Sequence, residues 1–121
     1  MSDAGQTASP AIAIVDDDLS IRRALTRVLG LAGFEVKAFE SGEALLREFD
    51  SDISCIIADV HLGGLSGPEV KAHLRQRGCE LPLIFITADE SECLRLSPCL
   101  KKPFLAANLI ALIRQAMVAN V

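Results

Sequence analysis

Residues 53–70 read ISCIIADVHLGGLSGPEV, a run that contains an apolar strand, a polar strand end and the start of a helix. Ile53 to Ala58 is apolar enough to be buried on both faces of a sheet, as the strands of parallel sheets are. Asp59 ends this strand, and a glycine-rich turn then leads to Pro68, since proline is tolerated best in the first turn of a helix. A strand, a loop and a helix in this order predict an α/β protein with a parallel sheet.

The same alternation of strand and helix extends through the rest of the chain. Strands are predicted at 11–15, 35–39, 53–58, 83–86 and 99–101, and helices at about 21–32, 42–49, 68–77, 91–96 and 105–117. This order predicts a doubly wound, five-stranded parallel sheet with right-handed crossovers. Helical spacing places these apolar residues against the sheet: Ile21, Ala24, Leu25, Val28, Leu29 and Ala32 in the first helix, and Leu105, Leu109, Leu112, Ile113, Ala116 and Met117 in the last.

Length and composition exclude several classes of protein. The chain has 121 residues, enough for one domain, and 50% of them are hydrophobic, so a substantial core can form. The net charge is −4 and the basic residues are not clustered, which argues against a nucleic-acid partner. No apolar run is long enough to cross a bilayer. Residues 1–10 are small and polar, unlike a secretory signal, and we expect a flexible N-terminal tail before one domain at 11–119.

The four cysteines predict neither a disulfide framework nor a zinc site. None belongs to a C-x-x-C pair, and neither histidine lies at a ligand spacing from a cysteine. A chain this rich in core-forming residues is typical of a reducing compartment, so we expect a cytoplasmic protein. The cysteines are Cys55, Cys79, Cys93 and Cys99.

Polar residues interrupt the apolar pattern at the carboxyl ends of four predicted strands. Strand ends of a parallel sheet share one edge, and ligands of such folds bind at that edge, where the strand order reverses. On its own, the run of three aspartates after the first strand could equally be a solvated turn that caps the first helix. Together with the other strand ends, it predicts a polar site. The residues at these places are Asp16, Asp17, Asp59, Thr87 and Lys102.

The predicted site has the composition of a Mg²⁺ site. Three carboxylates at one edge repel one another unless a cation lies between them, and Mg²⁺ prefers oxygen ligands. We expect Asp17 and Asp59 to be direct ligands and Asp16 to bind partly through water. The backbone carbonyl of His61 would supply a further oxygen.

Phosphoryl transfer is the chemistry that this combination favours. A carboxylate can act as a nucleophile and form an acyl phosphate, here at Asp59. The Thr87 hydroxyl and the Lys102 amine would hold the remaining phosphoryl oxygens, because positioning and charge stabilisation dominate this reaction.

Four separated segments resemble the signature segments of response-regulator receiver domains. They occur in the family's order and span nearly the whole chain from Ala11 onward. The family is CheY-like, with a flavodoxin-like fold, and the sequence is most similar to receivers of the FixJ type. The segments are Val15-Asp-Asp-Asp18, Ile57-Ala-Asp-Val-His-Leu-Gly-Gly-Leu-Ser-Gly67, Phe85-Ile-Thr-Ala88 and Lys101-Lys-Pro-Phe104.

The resemblance implies a phosphorylation-dependent switch of a two-component system. The implied partners are a sensor histidine kinase or a histidine phosphotransfer protein, and either a downstream protein or an effector domain of the same chain. The domain would catalyse only its own phosphorylation and autodephosphorylation. The resemblance makes Asp59 the phosphoacceptor, Asp16 and Asp17 the metal site, Thr87 the switch hydroxyl, and Lys102 the phosphoryl-pairing lysine before an X–Pro bond that is often cis.

Residues 88–101 depart from the family's pattern. This interval is shorter than in most receivers, and Pro98 disfavours a helix around it, so only residues 91–96 can form the fourth helix, at two turns or less. Cys99 stands where the family often has an aromatic switch residue, so the coupled rotation of threonine and aromatic side chains cannot operate in its usual form. We therefore expect phosphorylation to order or move the loop 88–98, with an atypical output surface.

The last predicted helix has more apolar residues than one face needs. Ala106, Ile110, Ala111 and Val118 lie outside its core stripe. A short fourth helix could leave this surface open for a partner or for a second copy of the chain in a homodimer. Complete burial within the domain is an equal alternative.

Two other functions remain open at this point. Haloacid-dehalogenase-like phosphatases also use a strand-end Asp with Mg²⁺, a Thr and a Lys, but they need a second acid two residues after the nucleophile, where this chain has His61. A phosphorylation-independent receiver that acts as a binding module would have little reason to keep all five site residues. We expect the side chain of His61 to face solvent, so that only its backbone contributes to the site, and His73 to lie on a helix surface.

Overall fold

The computed structural model describes residues 11–119, in which five strands alternate with five helices. The predicted tail, residues 1–10, lies outside the described residues. The strands are β1 Ala11–Val15, β2 Glu35–Phe39, β3 Ile53–Asp59, β4 Leu83–Thr87 and β5 Cys99–Lys101. The helices are α1 Leu19–Leu31, α2 Gly42–Glu48, α3 Gly67–Gln76, α4 Glu90–Arg95 and α5 Ala106–Ala119.

All five strands are parallel and lie in the order β2-β1-β3-β4-β5, which confirms the predicted sheet. β2 is an edge strand, and its mixture of exposed and half-buried residues fits that place. The order reverses between β1 and β3, since the chain moves from β1 to one edge and then from β3 to the other. The loops that follow β1 and β3 therefore flank the crevice where folds of this kind bind ligands.

The core has two layers because alternate residues of each strand point to opposite faces of the sheet. Ile12 and Ile14 of β1 pack in the layer that holds α1 and α5, whereas Ala13 and Val15 pack in the layer that holds α2 and α3. Helices thus cover both faces, as the doubly wound arrangement requires.

Two residues predicted to face the sheet do not. Ala24 of α1 is exposed, because the buried stripe of that helix is narrower than the sequence suggests and centres on Leu25 and Leu29. Leu105 precedes the first turn of α5 and is exposed too. Its carbonyl accepts from the N–H of Leu109, so Leu105 lies at the helix start, where the stripe does not extend.

Local signals in the sequence set the helix boundaries. The side chain of Asp18 accepts from two backbone N–H groups at the start of α1, and the hydroxyl of Ser41 accepts from one, that of Ala44, at the start of α2. Ser66 and Glu69 form a capping box at the start of α3. Gly33, at φ 98°, follows the end of α1 in a conformation that L side chains rarely adopt.

Gly67 lets α3 begin directly against the end of β3. A Cβ atom at this position would lie 2.7 Å from the backbone oxygen of Asp59, closer than real Cβ contacts come. The N–H of Gly67 also donates to the carbonyl of Val60 at 3.1 Å. The glycine-rich turn therefore positions the strand end that carries the predicted nucleophile.

The fourth helix is short, as the sequence predicts. α4 has six residues, none of them buried, and Leu94 is 82% exposed. The side chain of Asp89 caps it by accepting from two N–H groups of its first turn. Over residues 11–119, none of the helices combines the length and the hydropathy that a membrane crossing needs.

The extra apolar residues of α5 are only partly covered. Ile110 packs against the core, and Ala106 is half-buried, but Ala111 and Val118 are exposed. Complete burial of this set is therefore wrong, because no element of the described chain covers the outer face of the helix at the two exposed residues. A partner at this surface stays a prediction.

Candidate functional site

The predicted site residues lie at the carboxyl ends of four neighbouring strands. Asp16 and Thr87 are fully buried, and Asp59 is only 8% exposed. Polar side chains at such places are costly unless they are paired, so their partners define the site. Asp16 and Asp17 follow β1, Asp59 ends β3, Thr87 ends β4, and Lys102 follows β5.

The amine of Lys102 joins two of the carboxylates. Its Nζ donates to Asp59 Oδ2 at 2.7 Å and to Asp16 Oδ2 at 3.3 Å. The backbone N–H of Lys102 donates to the carbonyl of Thr87 at 2.7 Å, which continues the pairing of β5 with β4 and holds the lysine at the strand ends. Lys101 is exposed, so Lys102 is the lysine that reaches the site. The Lys102–Pro103 bond is cis, as expected.

Backbone amides orient the two buried carboxylates. The N–H of His61 donates to Asp59 Oδ1 at 2.8 Å, and the N–H of Asp18 donates to Asp16 Oδ1 at 2.9 Å. Each carboxylate therefore has one oxygen fixed by its own loop and a second oxygen directed at the Lys102 amine. In Asp59, Oδ2 is therefore the oxygen that faces the Lys102 amine rather than a backbone N–H.

The charged groups at this edge lie close enough to shift one another's pKa values. Burial raises the pKa of Asp16, and the nearby charge of Asp59 adds to this, while the Asp18 N–H and the Lys102 amine oppose it. Burial would lower the pKa of the Lys102 amine, but its hydrogen bond to Asp59 and the charges of both aspartates raise it overall. One ammonium group thus balances the negative charge of two carboxylates, and this is not enough to offset the burial of Asp16, whose pKa stays above its usual value.

Asp17 is placed differently from the other two aspartates. Its side chain is exposed and makes no hydrogen bond or ion pair within residues 11–119. Over the same part of the chain, no three acidic, histidine or cysteine side chains are grouped closely enough to hold a metal ion by themselves. The structure joins Asp16 and Asp59 through the Lys102 amine, then, and leaves the side chain of Asp17 exposed next to Asp16 in the chain.

The raised pKa of Asp16 predicts a stability gain for Asp16→Asn in metal-free buffer. An acid whose pKa is higher in the folded state binds protons more tightly there, so stability falls as pH rises from the unfolded value of 3.8 through the folded pKa. A neutral amide avoids this cost, and we expect the free energy of unfolding at pH 7 to increase. Urea unfolding in EDTA measures it.

The gain should disappear below about pH 3, where the Asp16 carboxyl is protonated in both states. Asp17→Asn removes the same charge from the exposed neighbour and should leave stability within about 0.5 kcal/mol of the wild type. A metal-free Asp16→Asn protein less stable than the wild type at pH 7 would show that the pairing with Lys102 outweighs the burial cost.

The sequence did not predict the contact of Glu92, whose carboxylate accepts a hydrogen bond from the Thr87 hydroxyl. The hydroxyl of Thr87 donates to Glu92 Oε1 at 2.8 Å and accepts from the N–H of Asp89 at 3.1 Å. Nε2 of His61 lies 2.8 Å from Oε1 and 2.7 Å from Oε2 of the same carboxylate. The side chain of Glu92 is 15% exposed and that of His61 is 69% exposed. His61 therefore faces solvent, as expected, but its ring also contacts the Glu92 carboxylate.

The remaining predicted residues lie where the sequence places them. Cys99 is half-buried beside β4, and the cysteines are free thiols. Burial raises the pKa of Cys55 in the core to about 12, so that thiol is inert at neutral pH. His73 lies on the exposed surface of α3.

Comparison with known proteins identifies the family and the fold. Residues 12–114 match the family model described as response regulator receiver domain. The chain is 41% identical over 75 residues to nodulation protein W of Bradyrhizobium diazoefficiens, covering 61% of this chain and 33% of that protein. It is 34% identical over 115 residues to the sensory transduction protein RegX3 of Mycobacterium tuberculosis, covering 88% of this chain and 50% of that protein.

A solved structure agrees with the architecture. The response regulator TrrA of Thermotoga maritima, determined in complex with Mg²⁺ and BeF, superimposes with a TM-score of 0.77 at 26% identity, covering 88% of this chain and 97% of that one. The chain spans between a third and a half of the length of the two curated relatives. The family model covers most of the chain and includes all four strand ends of the site, so the chain belongs to the response regulator receiver domain family.

Proposed function

We propose that Asp59 is the phosphoacceptor of this receiver domain, and that residues 11–119 form the domain. Receiver domains are phosphorylation-dependent switches of two-component systems, and the family match makes this chain one of them. The observation that carries the residue assignment is the Lys102 amine, which lies 2.7 Å from Asp59 Oδ2 in a nearly buried site. That amine is a positive charge at the place where phosphoryl oxygens would arrive.

The chemistry assigns a role to each oxygen of Asp59. Oδ1 is held by the His61 N–H, and Oδ2 attacks the phosphorus of a phosphohistidine donor. The Oδ2–P bond forms as the P–N bond breaks, and the imidazole leaves with the electron pair. The Lys102 amine then stabilises phosphoryl oxygens, and Thr87 offers its hydroxyl to another.

The residues present fit a Mg²⁺ ion. Mg²⁺ usually binds proteins through one or two carboxylates and keeps several waters, so it does not need a ready cluster of three side chains. Asp16 and Asp59 share the Lys102 amine, Asp17 follows Asp16 as an exposed acid, and the His61 carbonyl lies two residues after Asp59 in the chain. Bound there, the ion would supply positive charge that offsets the repulsion between carboxylate and phosphoryl oxygens. Crystallisation of TrrA with Mg²⁺ and BeF supports this assignment.

The phosphoryl donor is a sensor histidine kinase or a histidine phosphotransfer protein, as for a receiver of a two-component system. The output is a change in partner binding, either to a downstream protein or to an effector domain, because the curated relatives are about twice as long as this chain. The exposed Ala111 and Val118 of α5 are a candidate contact, including with a second copy of the chain. The place of action is the cytoplasm.

Binding of beryllofluoride, which mimics a phosphoryl group on Asp, tests this function. Mg²⁺ together with beryllofluoride at about 100 times its dissociation constant should stabilise the domain by about 2.7 kcal/mol. For a chain of this size the melting temperature should rise by about 10 °C. Differential scanning calorimetry with Mg²⁺ alone and fluoride alone as controls measures the rise. The absence of any beryllofluoride effect would favour a phosphorylation-independent binding module.

A further inference from the structure

Glu92 makes the contacts that attach α4 to the site. Within the described part of the chain, both hydrogen bonds that join an α4 side chain to a residue beyond the helix and its cap belong to this carboxylate. One partner, Thr87, ends β4, and the other, His61, follows the proposed phosphoacceptor by two residues. The carboxylate is mostly buried between them.

Besides Glu92, α4 is held by half-buried Cys93, which lies close to Cys99 of β5, and by its C-cap Leu96, which packs against the core. A six-residue helix is far below the length at which helices are stable by themselves, so its position depends on tertiary contacts. None of its residues is buried, and Leu94 is among the most exposed apolar residues of the described chain. The contacts of Glu92 therefore have a large share in the position of α4.

The Thr87 hydroxyl has a single proton to donate. In this structure the proton goes to Glu92 Oε1 at 2.8 Å. A phosphoryl group on Asp59 needs the same proton, and its negative charge would also repel a carboxylate bound to the same hydroxyl. The hydroxyl cannot serve both acceptors, so phosphorylation and the Glu92 contact exclude each other.

We propose that Glu92 is a positioning residue that occupies the Thr87 hydroxyl until Asp59 is phosphorylated, and that its release frees α4 to move. The inference rests on the proposed function of Asp59. It names the contact that competes with the phosphoryl group and the element that responds. With Cys99 at the place of the family's aromatic switch residue, the Glu92 side chain gives this receiver another connection between Thr87 and its outer surface.

Beryllofluoride affinity in the presence of Mg²⁺ tests the competition. Glu92→Ala removes the competing acceptor and its charge, and should lower the dissociation constant of beryllofluoride about fivefold to tenfold. Glu92→Gln keeps a weaker acceptor without the charge and should give a smaller decrease of about threefold. Glu90→Gln is the matched control, because Glu90 lies in the same first helical turn, is exposed, and has no contact with Thr87. Its affinity should stay within about twofold of the wild type.

Three further measurements separate positioning from a general effect on structure or charge. The methyl resonance of Thr87 in ligand-free Glu92→Ala should move towards its position in the beryllofluoride complex of the wild type. Amide exchange of residues 90–95 should be faster in ligand-free Glu92→Ala than in the wild type. In a Thr87→Val background the affinity gain from Glu92→Ala should fall at least about twofold, because the hydroxyl that transmits it is gone.

The outcomes distinguish this proposal from the proposed function. If the wild type does not bind beryllofluoride, the assignment of Asp59 fails. If the wild type binds but the Glu92 variants bind no better, only the role of Glu92 fails. If Glu92→Ala raised the beryllofluoride affinity equally with Thr and with Val at position 87, Glu92 would act only through its charge at a distance. That result would overturn its positioning role. Circular dichroism of Glu92→Gln confirms that the variant is folded.

Discussion

Asp59→Asn should reduce phosphoryl transfer to the chain at least about 100-fold, the largest change expected from one substitution. An amide is a poor nucleophile and forms no acyl phosphate, whereas its Oδ1 can still accept from the His61 N–H. The fold should therefore persist while the chemistry is lost. Intact-mass spectrometry after incubation with Mg²⁺ and a phosphohistidine donor measures the transfer, and sensitivity of the product to hydroxylamine identifies an acyl phosphate.

Asp52→Asn is the control for this experiment. Asp52 is an exposed acid just before β3, at the end of that strand opposite to Asp59, so the substitution changes the charge by the same amount away from the site. We expect wild-type transfer from it. A phosphorylated Asp59→Asn protein with a hydroxylamine-sensitive product would mean that another carboxylate is the acceptor, and Asp16, which shares the Lys102 amine with Asp59, would be the first to test.

The order of strands and helices could be predicted because each element carries its own signals. Apolar strands alternate with amphipathic helices, and residues such as Asp18, Ser41 and Ser66 mark helix starts by hydrogen bonds within a few residues. Parallel strands place their ends at one edge, so Asp59 and Lys102 could be assigned to one site although they are 43 residues apart.

The role of Glu92 could not be predicted in this way. It depends on a contact with His61, 31 residues earlier in the chain, between two side chains in irregular or short segments. An acidic residue in the first turn of a short helix ordinarily stabilises that helix through its dipole and faces solvent. Nothing in the local sequence separates Glu92 from Glu90, which does face solvent.

The sequence also could not predict which single residues at the ends of strands and helices are buried. Leu105 continues the apolar spacing of α5, but the helix starts one residue later and the side chain is exposed. Asp17 is next to Asp16 at the same strand end, yet one is exposed and the other is fully buried. Successive residues after a strand point in different directions, and only the loop conformation decides which one enters the site.

Lys102→Met should destabilise the metal-free domain by about 2–3 kcal/mol at pH 7, because it leaves two neighbouring carboxylates without their shared cation. Met fills a similar volume, so the loss reports charge and hydrogen bonding more than packing. The pKa of Asp16 is already raised by burial and should rise further when the Lys102 amine is removed. The destabilisation should therefore shrink as pH falls and the Asp16 carboxyl becomes protonated. Urea unfolding in EDTA across pH measures both effects.

Mg²⁺ should compensate for the missing amine in one respect and not in another. A Mg²⁺ ion beside Asp16 and Asp59 would neutralise the two carboxylates in place of the amine. Mg²⁺ should therefore stabilise Lys102→Met more than the wild type, and it should bind this variant several-fold more tightly because it relieves the repulsion between the two carboxylates. It cannot replace the amine as a donor to phosphoryl oxygens, and beryllofluoride affinity should fall at least about tenfold. These opposite changes in one variant are the signature of a lysine that serves both the resting and the phosphorylated site.

Lys101→Met is the matched control, since it removes the same charge from the adjacent residue, whose side chain is exposed. We expect its stability, its Mg²⁺ affinity and its beryllofluoride affinity to match those of the wild type. If the two lysine variants behaved alike, the 2.7 Å contact between Lys102 Nζ and Asp59 Oδ2 would have no energetic significance, and the charge balance inferred for the site would be wrong. If only Lys102→Met responds, with weaker beryllofluoride binding and tighter Mg²⁺ binding, the same amine first compensates the buried carboxylates and then holds the phosphoryl group that one of them accepts.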